Sequence, residues 1–107
     1  MEVKNFEDVK AIEVLGCTVK MMASGEVLDV AYIKVSPGVE LPPHSHPEEC
    51  VSYVLSGELE IYTDKHPEKV IVKSGDTQLY LPDEKLGGRN PGHIPAEFLL
   101  IEPKSRR

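Results

Sequence analysis

The sequence is poor in the features that mark several large classes of protein. It has two cysteines, Cys17 and Cys50, which are too few for the disulfide framework of a small secreted domain. No apolar run approaches the roughly 20 residues that cross a bilayer, and the N-terminal residues lack the apolar core of a secretory signal. We therefore expect a cytoplasmic protein that has no membrane partner.

Basic residues and several catalytic motifs are also scarce. Lysine and arginine number 12 against 18 aspartates and glutamates, which gives a formal net charge of −6. Because nucleic-acid backbones are anionic, nucleic acid is not an expected partner. The concentrated basic segment, Lys104–Arg107, is expected to be a solvated terminal tail. The chain lacks a glycine-rich phosphate loop, a Cys-x-x-Cys pair and a nucleophile elbow, so these catalytic templates receive no support.

Chain breakers, in contrast, are abundant, with nine prolines and eight glycines among 107 residues. This density argues against long helices and for short strands joined by turns. The alternation of polar and apolar residues from Glu58 to Thr63 is typical of a strand with one buried face. Further strands are predicted at 14–22, 27–35, 51–55, 70–72 and 98–101, the last of them stopped by Pro103. At this length we expect one all-β domain, a sandwich or barrel.

One short segment carries candidate metal ligands. His44 and His46 are separated by one residue, so on a strand both side chains project from the same face, about 7 Å apart. Two imidazoles placed in this way can converge on one metal ion if the strand bends. A metal needs a third and usually a fourth ligand, for which Cys50, Glu48 and Glu49 are candidates. The alternative is that both histidines are ordinary polar residues at the end of a strand.

The residues around this histidine pair follow a recognisable spacing. Gly38, His44, His46 and Gly57 are in register with the pattern Gly, five residues, His-x-His, a Glu and a final Gly. This pattern is the first conserved motif of the cupin superfamily, and the segment is especially similar to small single-domain cupins. The Glu position, seven residues before the final Gly, holds Cys50 in this chain. The resemblance implies a cupin-type β-barrel, that is, a jelly roll or double-stranded β-helix, with a metal site.

A second cupin motif is partly present in the segments 75–76, 81–82 and 89–92. The family carries its fourth ligand, a histidine, at the position that Leu86 occupies here. Leu86 and Ser52, which shares the strand parity of Cys50, are therefore predicted to line the pocket. His93 is a possible replacement ligand, although it follows a turn-like sequence and a surface loop is the expected place for it.

The altered ligand positions bear on the choice of metal. A set of two imidazoles and a thiolate is softer than the usual three histidines and a carboxylate. It would favour Zn, Fe, Ni or Cu over Mn or Mg. The alternative is that Cys50 is a small buried thiol in a pocket that has lost its metal.

The resemblance leaves functions of different classes open. One is a metal-dependent enzyme acting on a small polar metabolite, sugar-like or carboxylated, with the metal as a Lewis acid. Another is a non-catalytic small-molecule-binding or sensor protein with a degenerate or empty metal site. A third is a purely structural or oligomerisation domain. We expect a homodimer, and one domain over residues 1–107 with its core at 28–102, an N-terminal strand or arm at 1–22 and a basic tail at 103–107.

Overall fold

The computed structural model describes residues 1–104, whose regular secondary structure is almost entirely antiparallel β-strand. After a short 3-10 turn at Phe6–Asp8, the chain forms ten strands: β1 (Ala11–Val14), β2 (Cys17–Ser24), β3 (Leu28–Val35), β4 (Glu40–His44), β5 (Cys50–Ser56), β6 (Glu58–Thr63), β7 (Val70–Lys73), β8 (Thr77–Tyr80), β9 (Leu86–Arg89) and β10 (Ala96–Pro103). One sheet has six strands in the order β1-β2-β3-β10-β5-β8, and the other has four in the order β4-β9-β6-β7. The prediction of an all-β, jelly-roll barrel is confirmed.

The core lies between the two sheets and follows from the alternation in the strands. In β6, Leu59, Ile61 and Thr63 are buried, whereas the intervening residues are more exposed, as the sequence pattern predicts. These side chains meet Val54 of β5 and Phe98 of β10 from the opposite sheet. The burial of one face of each sheet against the other is the main stabilising term of such a fold.

The N-terminal part departs from the predicted strand at 14–22. That segment contains the end of β1, a turn and most of β2, with Val14 paired to Cys17 across the turn. The two turn residues, Leu15 and Gly16, have positive φ angles of 52° and 82°. Positive φ at both central residues is the geometry of a tight two-residue hairpin, for which leucine is an unusual choice. The sequence therefore offered only Gly16 as a turn signal.

Gly57, the last residue of the first motif, is fixed by a backbone contact between strands. Its φ is +75°, and a Cβ atom added to it would lie 2.5 Å from the carbonyl oxygen of Pro95. No side chain fits at that distance, so the tight link from β5 to β6 requires glycine.

The C-terminal end of the strand system differs from the predicted tail. β10 continues through Pro103, which pairs with Leu28 instead of stopping the strand before it. Lys104 donates from its Nζ to the carboxylate of Asp29 at 2.9 Å, so this residue is bound to the barrel. The rest of the predicted solvated tail, residues 105–107, lies outside the described residues. Among residues 1–104, no helix has the length and apolar character needed to span a bilayer.

Candidate functional site

The histidine pair is positioned by β4, an edge strand of the four-stranded sheet. Pro42 and Pro43 lie within β4. Proline cannot donate a ladder hydrogen bond, and an edge strand tolerates it because one side of the strand needs no donor. The register between β4 and β9 shifts between Leu41 and His44, so the strand is irregular where it approaches its end at His44.

His46 lies two residues beyond the end of β4, so strand alternation alone does not place it as the sequence analysis assumed. Its backbone carbonyl accepts a hydrogen bond of 2.8 Å from the amide of Asp83. The rings of His44 and His46 nevertheless come together, with centroids 5.2 Å apart and planes inclined at 78°. The loop, rather than a continued strand, brings the second imidazole to the first.

Each imidazole has one nitrogen already engaged. His44 Nδ1 lies 2.9 Å from the carbonyl oxygen of Pro42, and His46 Nδ1 lies 3.0 Å from a carboxylate oxygen of Glu102. A carbonyl oxygen and an ionised carboxylate can only accept, so Nδ1 of each ring carries the hydrogen. In a neutral imidazole that assignment leaves the lone pair on Nε2. Metal-binding histidines show the same arrangement, with the second nitrogen donating to a carbonyl or carboxylate.

Both histidines line a cavity of about 230 Å³ between the sheets. Most of its wall is aliphatic or aromatic. Among residues 1–104, the lining consists of Val14, Leu15, Cys17, Val19, Ile33, Glu40, Leu41, Pro42, His44, His46, Ser52, Leu59, Ile61, Tyr80, Leu86, Phe98 and Leu100. The two residues predicted from sequence to line the pocket, Ser52 and Leu86, are both in this wall.

The polar groups of the wall differ in exposure: the Glu40 side chain is exposed, whereas Ser52 and Tyr80 are buried. Ser52 Oγ donates to Oε1 of Gln78 on the neighbouring strand β8. Burial raises the pKa of Tyr80, and the charges of Cys50 and Glu84 raise it further, while a hydrogen bond with Ser52 acts in the opposite direction. Tyr80 therefore keeps its hydroxyl proton at neutral pH, and this hydroxyl is hydrogen-bonded with Ser52.

Comparisons with known proteins agree with this fold. The sequence model of the cupin domain matches residues 31–102. The chain belongs to the cupin family. Among solved structures, an RmlC-like cupin from Shewanella frigidimarina is 20% identical with a TM-score of 0.87, over 100% of this chain and 94% of that one.

Two further structures extend the likeness. KdgF from Halomonas sp. is 19% identical with a TM-score of 0.85, over 99% of this cupin and 96% of that protein. The polyketide cyclase RemF from Streptomyces resistomycificus is 23% identical with a TM-score of 0.85, over 96% and 79% of the two chains. At such identities the likeness shows the fold and not the function. None of the curated proteins matches the sequence significantly.

In this cupin, Cys50 stands apart from the cavity wall. It is 2% exposed and is not among the described residues that line the cavity. Burial raises the pKa of the Cys50 thiol to about 11, with further contributions from the carboxylates of Glu102 and Glu84. The structure thus gives the thiol apolar and anionic surroundings, which favour the protonated form.

The other candidate ligands are not part of the cavity wall that His44 and His46 share. Glu48 is partly buried, and Glu49 and His93 are exposed; none of these three lines the cavity. Over residues 1–104, no group of three or more His, Cys, Asp and Glu side chains is arranged to hold a metal ion. The arrangement therefore brings together His44, His46 and their two hydrogen-bond acceptors.

Glu102 and Tyr80 are the site residues that the sequence analysis missed. Glu102 lies on β10 with the same parity as Phe98 and Leu100, which line the cavity. A carboxylate on the inward face of an otherwise apolar strand was the available signal. Tyr80 pairs with Cys50 in the β5–β8 register and so faces the interior beside Ser52. This neighbourhood depends on the pairing of two separate strands, so no local sequence pattern predicts it.

Proposed function

We propose that this cupin binds one divalent transition metal ion through His44 and His46, and that the metal helps to hold a small molecule in the adjoining cavity. The observation that carries the proposal is the engagement of both Nδ1 atoms, which leaves a lone pair on Nε2 in each of two imidazoles that line one cavity. Imidazole ligands suit Zn, Cu, Fe and Ni better than Mn or Mg.

The residues present fit such an ion with open positions. His44 and His46 would supply two ligands, and water or an oxygen of the bound molecule would complete the coordination sphere. When bound, a divalent ion supplies a Lewis acid that polarises an oxygen of the small molecule.

The chain itself contributes the orientation of the two rings and a largely apolar wall to this site. Glu102 and the Pro42 carbonyl hold the two rings in one tautomer, which raises the basicity of the free nitrogens. Tyr80 and Ser52 add buried side chains with hydroxyl groups to the cavity wall, and Leu86 covers the position opposite His44 with an apolar side chain. An apolar wall lowers the local dielectric constant and strengthens polar contacts to a ligand.

A second candidate is a binding or sensor protein whose metal site is empty. It is favoured by the burial of Cys50 away from the cavity and by Leu86 at a ligand position of the family. In that case the small molecule would meet the imidazoles directly.

Metal analysis of the purified protein and titration with Zn²⁺ test the first candidate against the second. We expect one Zn²⁺ per chain, and a loss of affinity of at least about tenfold in His44→Ala and in His46→Ala, since two ligands share the ion. His66→Ala and His93→Ala are matched controls, because both rings are exposed and neither lines the cavity with the pair. Binding that is absent, or that survives both site substitutions, would contradict the metal proposal.

A further inference from the structure

The cavity beside the histidine pair is polar at one end and mostly apolar along the rest of its wall. Phe98, Leu100 and Glu102 alternate on β10 and therefore share its inward face. Glu102 holds His46 at one end, and Leu100 and Phe98 follow in the wall. At about 3.3 Å per residue, Phe98 lies roughly 13 Å along the strand from Glu102.

The neighbouring strands of the same sheet extend this apolar wall. Ile33 is directly paired with Phe98, and Val19 is directly paired with Ile33, so β10, β3 and β2 present one apolar surface. Leu59 and Ile61 face it from the other sheet. A ligand that enters with its polar group at the histidines must lay the rest of its body against these side chains.

The rim of the cavity is apolar at the turn between β1 and β2, while the exposed Glu40 and His44 give another part of it polar side chains. Leu15 and Val14 line the cavity and are 76% and 48% exposed. Exposed apolar side chains at the mouth of an apolar cavity mark a route for a ligand of the same character.

A sugar-like ligand fits this wall poorly. Each buried hydroxyl needs a hydrogen-bond partner, and an unpaired one weakens binding. Away from the histidines, the polar lining is small, and the hydroxyl of Ser52 already donates to Gln78. A carboxylated ligand with an apolar body needs polar partners only for its carboxylate.

We infer that the ligand of this cupin is a small monocarboxylic acid with an apolar body, its carboxylate at His44 and His46 and its body along β10. The inference rests on the proposed function for the head-group site and extends it to the class of ligand. The cavity volume of about 230 Å³ holds roughly eight groups of about 30 Å³, the volume of a water molecule in the liquid. The apolar body is therefore on the order of eight carbons.

Calorimetric titration of the Zn²⁺-loaded protein with straight-chain acids from butanoate to dodecanoate tests the inference. Each added CH₂ should lower Kd about three- to fourfold as it is buried, up to about eight carbons, after which the gain stops. Glucuronate, a carboxylate with a hydroxylated body, should bind at least about tenfold more weakly than octanoate. A series with no chain-length dependence, or glucuronate binding as tightly as octanoate, would overturn the inference.

Variants that fill the apolar part of the cavity test where the alkyl chain of the ligand lies. Ile33→Phe should weaken octanoate binding about tenfold or more while leaving butanoate within about twofold, because only the longer chain reaches the added ring. Val19→Phe is a second variant at the next strand and should do the same if the first does not fold. Leu55→Phe is the control, since Leu55 is 40% exposed and does not line the cavity.

The metal-free protein separates this inference from the proposed function. If Zn²⁺ fails to bind but the chain-length dependence persists, the metal proposal falls and the ligand class stands. If Zn²⁺ binds at the histidines but affinity is the same for butanoate and octanoate, the ligand class falls and the metal proposal stands.

Discussion

Asn90 is a polar residue placed almost completely inside the barrel, at 1% exposure. Its Nδ2 donates to the carbonyls of Val35 and Ile94 at 3.0 and 2.9 Å, and its Oδ1 accepts from the amide of Gly92 at 2.9 Å. One side chain thus ties β3 to the loop before β10. Since all its polar atoms are paired, its burial stabilises the fold.

Asn90→Ala should lower the free energy of unfolding by about 2–4 kcal/mol, because buried backbone groups lose their partners and a cavity remains. Urea unfolding measures the change. Asn5→Ala is the matched control at the chain's other asparagine, which is exposed and caps the amide of Glu7, so it should cost about 1 kcal/mol or less. Equal effects of the two substitutions would contradict the role of Asn90.

Glu97 links stability to pH through two hydroxyl donors. Its carboxylate accepts from Ser56 at 2.6 Å and from the hydroxyl of Tyr32. These hydrogen bonds, the one from Ser56 first, hold the pKa of Glu97 below its ordinary value. The pKa is lower in the folded than in the unfolded chain, so this contribution is present above the ordinary value of about 4.3. It is lost as the pH falls through the folded-state value.

The difference in unfolding free energy between the native chain and Glu97→Gln should therefore shrink as the pH is lowered from 6 to 3. Urea titrations across that range measure it. Glu58→Gln provides the comparison at an exposed carboxylate, where the difference should stay nearly constant. Parallel pH profiles for the native chain and Glu97→Gln would show that these hydrogen bonds do not contribute.

At the scale of elements, the pairing of β4 with β9 gives a direct way to rebuild the site. Leu86 is the register partner of His44, and both line the cavity. Directly opposed residues of an antiparallel pair have Cβ atoms about 4.5–5.5 Å apart. The position is thus suited to a third imidazole.

Leu86→His should tighten Zn²⁺ binding at least about tenfold, since a third ligand joins the two histidines. It should also lower the stability of the metal-free protein, because a polar ring replaces a leucine that is 7% exposed. Competition with a chelator measures the affinity, with Leu86→Met as the control for size. An unchanged affinity would mean that the ion, if bound, lies away from β9.

The elements also show which parts of the site a sequence can predict. The alternation in β6 and the spacing of His44 and His46 are local, so they could be read directly. The contact of Glu102 with His46 depends on the position of β10 between β3 and β5 in the sheet. That position is set by pairing between strands that are far apart in the sequence. The position of His46 in a loop also could not be predicted without the fold, since Pro47 interrupts the strand pattern.

For the whole molecule, β1, one of the two edge strands of the six-stranded sheet, is the feature that bears on assembly. Within residues 1–104, β1 pairs only with β2, and Ile12 on β1 is 59% exposed. An unpaired edge with exposed apolar side chains is a template for pairing with another chain. The expected homodimer remains a prediction, and we propose β1 as its contact.

Ile12→Lys should convert the dimer to a monomer, because a charge on an apolar edge opposes strand pairing. Light scattering coupled to size exclusion reads the mass directly. Ile71→Lys places the same charge on β7, the edge of the other sheet, where the residue is 48% exposed, and should leave the dimer intact. A monomeric native protein would refute the assembly outright.

The hairpin of β1 and β2 also forms part of the cavity wall through Val14, Leu15 and Cys17. A terminal hairpin held from one side opens more readily than the centre of a sheet. A second copy seated on β1 would brace that wall and slow its opening. Diluting the protein should then increase the rate at which the bound acid dissociates, while the dependence of its affinity on chain length stays the same. The exchange rate of the ligand would therefore depend on the concentration of the protein itself.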